Sequence, residues 1–529
     1  MAGEVSETCT WSFRRGSGDG TYRRKTAATR EAPLRGRKRS GQPVSREGQA
    51  GRGGATERFV VPLKPGNAGG GKGPQFRTGV ESSEGRRLGN LATPVTVQKL
   101  QTALHAKAKA EPGFRFYLLY DKVFRADILD YAYRCCKANK GAPGVDEQEL
   151  ADVEAYGVER WLGELAQALR EQKYRPEAVR RVYIKKPNGK LRPLGIPTLR
   201  DRVCQTAAML VLEPIFEADL APEQYAYRAG TGALDAVRQV HRLINTGHRE
   251  VVDADLSGYF DSIPHAELMT SVARRVVDRR LLHLIKMWLE APVEETDKRG
   301  RKQRTTANRD QGRGIPQGSP ISPLLANLYM RRFILGWQRS SLAKRLDAKI
   351  VNYADDLVIC CHRGAHEALQ GMRRMMQRLK LTVNEDKTRL CRVPEECFDF
   401  LGYTFGRCYS PKTGRAYLGT TPSKKSIARL IASIGELTER RHFQLDAADL
   451  VRGLNRKLVG WANYFCLGPV SKAYCAIDAH TKLRLRQWLC GKHQHGGRGY
   501  QRYPDQYFYE RLSLVRLSLR TQGLPWATA

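Results

Sequence analysis

The sequence predicts an α+β fold in which a small antiparallel sheet gathers carboxylates and a basic α-helical region follows it. Three observations predict it. Tyr353-Ala354-Asp355-Asp356 lies inside Ala348 to Cys361, where apolar β-formers flank an adjacent acid pair. That pattern reads as a hairpin with the acids at or beside its turn. Glu250 to Pro264 opens with period-two alternation, placing Val251, Asp253 and Asp255 on one face and Val252, Ala254 and Leu256 on the other. Beyond Pro422, Ile427, Leu430, Ile431, Ile434 and Leu437 recur at helical spacing, with Lys424, Lys425, Arg429 and Arg440 around them.

Taken in chain order, residues 1–92 are rich in Gly, Arg, Ser and Pro, as in Arg35 to Gly41 and Gly69 to Gly73. Such a stretch buries too little apolar surface to fold and reads as a disordered basic extension. Either it is a flexible RNA-contacting arm or it is translated from an over-early start codon; both readings stand. Periodicity begins at Thr93. Val95 to Lys109 and Tyr117 to Asn139 read as helices that Gly141-Ala142-Pro143-Gly144 ends. Arg180 to Pro197 reads as a hairpin turning at Pro187-Asn188-Gly189. Its Lys185, Lys186, Lys190 and Arg192 crowd one tip, a placement suited to clamping phosphate groups. Thr198 caps a helix running to Glu213, and another ends near Ile244. The strand after Glu250 turns at Ser257-Gly258, and Pro264 suits the first turn of the next helix. Ser322 to Ile334 is helical, Leu381 to Thr388 is a strand-like entry to a turn, and Phe398 to Phe405 is an aromatic strand.

The acids carry the chemistry. An isolated Asp-Asp pair is more often a solvated turn, but here the apolar flanks bury it, and buried like charges are costly without a cation. A strand-end Asp255 meeting Asp355 and Asp356 gives three hard-oxygen ligands on one site. Such a site can hold two Mg²⁺ ions about 3.5–4 Å apart, the arrangement that serves in-line phosphoryl displacement.

Asp255 to Phe260, Gly314-Ile315-Pro316-Gln317-Gly318-Ser319-Pro320 and Tyr353 to Asp356 resemble the successive palm motifs of reverse transcriptases. Leu458 to Phe465, with Gly460-Trp461-Ala462-Asn463-Tyr464-Phe465, resembles the maturase domain of group II intron-encoded proteins. The resemblance runs from about Thr93 to the C-terminus. It implies a right-hand polymerase, fingers and palm with an antiparallel palm sheet, followed by an α-helical thumb/maturase domain. The implied division is a helical extension and start of fingers at 93–175, fingers and palm at 176–415, thumb/maturase at 416–480, and a basic tail at 481–529 without an endonuclease.

The resemblance implies catalysis by Asp255, Asp355 and Asp356, with the backbone carbonyl of Leu256 joining them as a metal ligand. It implies deoxynucleotide contacts for Lys186, Arg192, Gln317 and Lys387, the last also neutralising charge at the acids. Phe260, five residues after Asp255, would lie beneath the incoming sugar and reject a 2′-hydroxyl; the other reading is a plain core aromatic. RNA or template contacts fall to Lys137, Lys140, Arg228, Lys424, Lys425 and Arg429. The implied cofactors are two Mg²⁺ ions, with dNTP substrates. The implied partners are group II intron RNA, target DNA and a template–primer duplex, with room for a homodimer. The implied place is a nucleoid-associated ribonucleoprotein of a bacterial cytoplasm. The implied function is to assist intron splicing and to copy intron RNA into DNA during mobility. A splicing factor with an idle polymerase is the alternative that the intact acids argue against; a domesticated reverse transcriptase for repair or phage defence is a third.

Composition agrees. Lys+Arg number 90 against 54 Asp+Glu, a net charge of +36. A field of that sign recruits polyanions with strong salt dependence. No apolar run is long enough to span a bilayer, and the N-terminus lacks a signal-peptide core. Cys135-Cys136 and Cys360-Cys361 suit buried thiols better than disulfides. Cys490 to His495 has no complementary Cys pair and reads as a basic loop, so no zinc site is assigned there.

Overall fold

A computed structural model describes residues 87–88, 91–185, 189, 191–297, 299–410, 413–521 and 524. They belong to one unit, Glu57–Ala529; the other unit, Met1–Thr56, lies outside the described residues. So does nearly all of the 1–92 extension, although at its end Arg87–Leu88 pairs antiparallel with Leu91–Ala92, which places ordered backbone inside the stretch assigned to disorder.

The acids sit on a four-stranded antiparallel sheet. Its order is Arg389–Arg392, Glu250–Asp255, Asp356–Cys361, Lys349–Tyr353. Val251, Val252, Ala254 and Leu357 to Cys361 are all buried, so both faces are covered. The basic hairpin forms as expected from Val179–Lys185 and Leu191–Ile196. It belongs to a larger sheet that sequence did not disclose. Val293–Thr296 joins it in parallel and Lys302–Thr305 follows antiparallel. Long-range pairing of this kind leaves no local signal.

Leu199–Glu217 is the spine of the first part. Buried on nearly every side, it packs against Val95–Ala110 and Ala126–Asn139. Thr198 Oγ1 caps it by accepting from Asp201 N at 3.2 Å. Asp201, pushed up to about 6 chiefly by burial, accepts from Tyr174 Oη at 2.6 Å and Glu177 N at 3.1 Å. Cys135, Cys136, Cys360 and Cys361 are buried free thiols.

Several expected elements shift. Tyr117 to Asn139 is broken into Tyr120–Val123 and Ala126–Asn139. Pro264 stands at the N-cap of His265–Ala273, after a short helix Tyr259–Ser262. Phe398 to Phe405 is two strands of a hairpin, Phe398–Phe400 and Tyr403–Tyr409, because Leu401 and Gly402 both take positive φ. Leu381 to Thr388 forms a single bridge, Leu256 to Val383, before its turn. The basic helix stops at Leu437, short of Arg440.

Two expected boundaries cut through structure. That at 415/416 splits the Tyr403–Tyr409 and Ala416–Pro422 hairpin. That at 480/481 falls inside the helix Ser471–Lys492. Lys424–Leu437, Ala447–Tyr464 and this helix share one core containing Ile434, Leu454, Leu458 and Trp488, and Phe508 and Leu517 from the tail enter it. Asp478 holds the tail by accepting from Leu517 N and Ser518 N, each at 2.9 Å. Among the described residues no helix is long and apolar enough to cross a membrane.

Candidate active site

Register brings the acids together. Asp255 stands opposite Asp356 in one ladder, and Tyr353 stands opposite Asp356 in the next. Ala354 and Asp355 are therefore the whole turn. Ala354 holds a φ of +57°, a conformation that costs a non-glycine residue strain and persists only where its surroundings enforce it. Asn352 does the enforcing. It is buried, and its side-chain amide donates to the carbonyls of Ala354 at 2.9 Å and Asp356 at 3.2 Å. Its own backbone is held by Glu223 O at 2.9 Å and Tyr225 N at 3.0 Å. Sequence reading passed over Asn352; a polar residue at an inward strand position beside the acids was the available signal.

The electrostatics are those of an uncompensated acidic site. Asp356 is pushed up to about 7, first by burial and then by Asp355, Asp255 and Asp253, with Lys387 opposing. Asp253 is pushed up to about 6, again mainly by burial, with Arg389 opposing. Lys387 Nζ lies 2.9 Å from Asp255 Oδ2, and Asn384 Nδ2 donates to the same oxygen at 3.1 Å. Lys387 and Arg389 facing four carboxylates leave room for divalent cations, and an all-oxygen donor set fits Mg²⁺ over softer metals.

The loop Gly314 to Pro320 locks the basic hairpin to this site. Arg192 Nε donates to Gln317 Oε1 at 3.2 Å, and Gln317 Nε2 donates to Asp261 Oδ2 at 3.1 Å. Gly195 N donates to Gln317 O at 2.6 Å. Gly318 has a φ of +119°, and a Cβ there would lie 2.3 Å from Gly195 O. Gly318→Ala should therefore cost about 1–3 kcal/mol and lower the melting temperature. An unchanged melt would mean that the close approach does not select glycine.

The remaining expected residues divide. Lys186 lies outside the described residues. Phe260 is 8% exposed and packs in the main core, edge-on to Tyr259 with centroids 5.9 Å apart. Leu256 is buried at the strand end beyond Asp255. Tyr227 is pushed up to about 12 by burial and by Asp355, which puts it beside the turn.

Arg228 is held inside the fold. Its guanidinium pairs with Glu217 at 2.5 Å and donates to Ala221 O and Gln224 O, each at 2.8 Å. Its side chain is 11% exposed, so these partners occupy the guanidinium that the sequence offered for RNA. Lys137 pairs at the surface with Glu154 at 2.6 Å, a weak contact that a phosphate can replace. Lys140 is exposed at the end of its helix with φ +46°. Lys424, Lys425 and Arg429 are exposed on one helix, Lys425 3.9 Å from Asp399.

Residues 184–405 match the family of reverse transcriptases (RNA-dependent DNA polymerases), and residues 427–508 match the maturase-specific domain of group II introns. Protein YkfC of Escherichia coli is 33% identical over 369 residues, covering 62% of this chain and 93% of that protein. The group II intron-encoded protein LtrA of Lactococcus lactis is 30% identical over 280 residues, covering 52% of this chain and 43% of LtrA. An uncharacterised 91 kDa protein in the cob intron of Schizosaccharomyces pombe is 27% identical over 48% of this chain and 30% of its own length. The chain thus spans less than half of the latter two relatives. The reverse-transcriptase match covers Asp255, the glycine-rich loop and the acid turn, and members of that family use divalent metal ions and deoxynucleotides. The chain belongs to the reverse transcriptase/maturase family of group II introns, RNA-directed DNA polymerases that serve intron splicing and mobility.

Proposed function

We propose that Asp255, Asp355 and Asp356, with the carbonyl of Leu256, hold two Mg²⁺ ions for templated DNA synthesis on RNA. The observation that carries this reading is the register pair of Asp255 with Asp356, with Asp355 in the adjoining turn. Held by these residues, Mg²⁺ would supply activation of the primer 3′-hydroxyl and charge neutralisation at the pyrophosphate. The protein supplies position. Asn352 fixes the turn, Asn384 and Lys387 hold Asp255, and Gln317 ties Arg192 to Asp261. Arg192 and Lys186 contact the triphosphate, Arg192 by a forked donor and Lys186 as a point charge. The acid sheet is the palm, the basic hairpin sheet the fingers, and the three basic helices the thumb and maturase surface. Lys137, Lys140, Lys424, Lys425 and Arg429 contact intron RNA or the template–primer, and target DNA is the acceptor during mobility.

Primer extension on an RNA template, with and without Mg²⁺, tests the polymerase reading. DNA synthesis at equal rates in chelator would overturn the metal assignment. Sugar selection gives a separate test. Phe260→Val should raise ribonucleotide relative to deoxyribonucleotide incorporation by about 1–3 kcal/mol of discrimination, the range for removing bulk from one face of a pocket. An unchanged ratio in an active enzyme would make Phe260 a core aromatic only.

A further inference from the structure

At the end of the acid sheet opposite the active site, three side chains from three loops converge. His248 precedes the strand Glu250–Asp255, His362 follows Asp356–Cys361, and Asp347 precedes Lys349–Tyr353. These three strands are neighbours. One ligand atom from each of the three residues lies within 4.8 Å of the others. His248 Nε2 is 3.1 Å and His362 Nε2 3.5 Å from the same oxygen, Asp347 Oδ2. The two rings lie 4.1 Å apart. Ligands about 2.1 Å from a tetrahedral ion stand roughly 3.4 Å from each other, which matches these separations.

The surrounding hydrogen bonds fix the chemistry. Thr246 Oγ1 donates its proton to Leu243 O at 3.0 Å. That hydroxyl is then placed to accept from His248, whose Nδ1 is 3.4 Å away. In that tautomer the Nε2 lone pair faces a carboxylate oxygen at 3.1 Å, a pair of acceptors that a cation can bridge. Lys349 Nζ holds the other carboxylate oxygen, Asp347 Oδ1, at 2.7 Å and so aims Oδ2 at both rings. His248 and Asp347 thus each have an outer contact of the kind that orients metal ligands. Gly247, with φ +102°, lets the chain run against the His362 ring; a Cβ there would lie 2.7 Å from its Cε1. His248 is nearly closed to solvent, while Asp347 and His362 are half exposed, which gives an ion an entry path.

We infer that His248, Asp347 and His362 form a second metal site, for a borderline transition-metal dication of the Zn²⁺ class. Two imidazoles and one carboxylate suit Zn²⁺, whereas Mg²⁺ takes oxygen ligands. The strand Glu250–Asp255 alone, five steps of about 3.3 Å each, puts roughly 17 Å between that end of the sheet and Asp255, so the site is separate from the polymerase metals. A fourth position remains for water. Its effect is to staple three strand ends at the base of the sheet whose other end carries the acids.

The test uses the full chain stripped with chelator and kept in excess Mg²⁺ to occupy the oxygen site. Zn²⁺ titration by calorimetry, Zn²⁺-induced change in melting temperature, and the visible spectrum of the Co²⁺ form are read on wild type, His362→Ala and Asp347→Asn. Both substituted residues are about half exposed, so both variants should fold. Wild type should show one tight equivalent, a rise in melting temperature and tetrahedral Co²⁺ bands. Each variant should lose affinity by more than about tenfold, and with it the melting shift and the bands. Equal stoichiometry and equal melting shifts in all three proteins would overturn the site, placing Zn²⁺ elsewhere. Absence of Zn²⁺ binding to wild type would overturn it also, leaving a protonated His248 between the acceptors.

Discussion

Asp355→Ala is expected to lower primer extension by about 10³-fold or more, since losing a metal ligand forfeits several kcal/mol at about 1.36 kcal/mol per tenfold. RNA affinity should stay within about twofold, because one acid lost from a polycationic protein leaves its phosphate contacts in place. The substitution is structurally mild. Asp355 sits in the turn itself, outside the ladder that pairs Asp255 with Asp356, and the Asn352 bonds that hold the turn run to the carbonyls of Ala354 and Asp356. Extension rate and RNA affinity measured on one preparation decide the matter. Near-wild-type extension would remove Asp355 from the catalytic set.

The second large effect concerns the basic helix. Neutralising Lys424, Lys425 and Arg429 together should lower the salt slope of intron RNA binding by about three units, close to one per lost phosphate contact. All three are exposed, and the apolar side of the same helix is held by Leu430 and Ile434, so the fold should survive. Splicing should fall with affinity, while extension of a short, saturating template–primer should suffer less. Asp355→Ala should do the reverse, keeping splicing and losing copying. Equal proportional loss of both activities in both variants would end the proposed division of labour.

The acid turn was legible because its signals are local. Alternation from Val251 to Leu256 and apolar flanks around Asp355-Asp356 dictate strands whatever the rest of the chain does. The cap at Thr198 and the helix from Lys424 were legible for the same reason. What pairs with what was not. Val293–Thr296 joins the hairpin across about a hundred residues, and nothing within it announces that partner. The pairing of Arg228 with Glu217 was not legible either, because an arginine beside two tyrosines has the composition of an RNA contact while Glu217 lies a helix end away. The 480/481 boundary misled because basic residues cover Ser471–Lys492 so densely that its buried stripe, Ile477, Leu485 and Trp488, was masked. His248, Asp347 and His362 are distant in sequence and meet only through sheet register.

One core joins the acid sheet to the maturase helices. Val251, Val351 and Val358 from the sheet share it with Phe398, Tyr403 and Phe405 and with Phe465 and Leu467 from beyond the Ala447–Tyr464 helix. Tyr403 Oη donates to Tyr464 O at 2.5 Å, and Tyr464 Oη donates to Leu401 O at 2.8 Å. The consequence is evolutionary. A lineage that needs only splicing would not shed the polymerase cleanly by truncation, since deleting the sheet would uncover Phe465 and Leu467 at the end of the helix before them. Its route is erosion by point substitution, with the acids lost first and the architecture kept. Descendants with a dead catalytic turn on an intact sheet are the fossils this packing would leave.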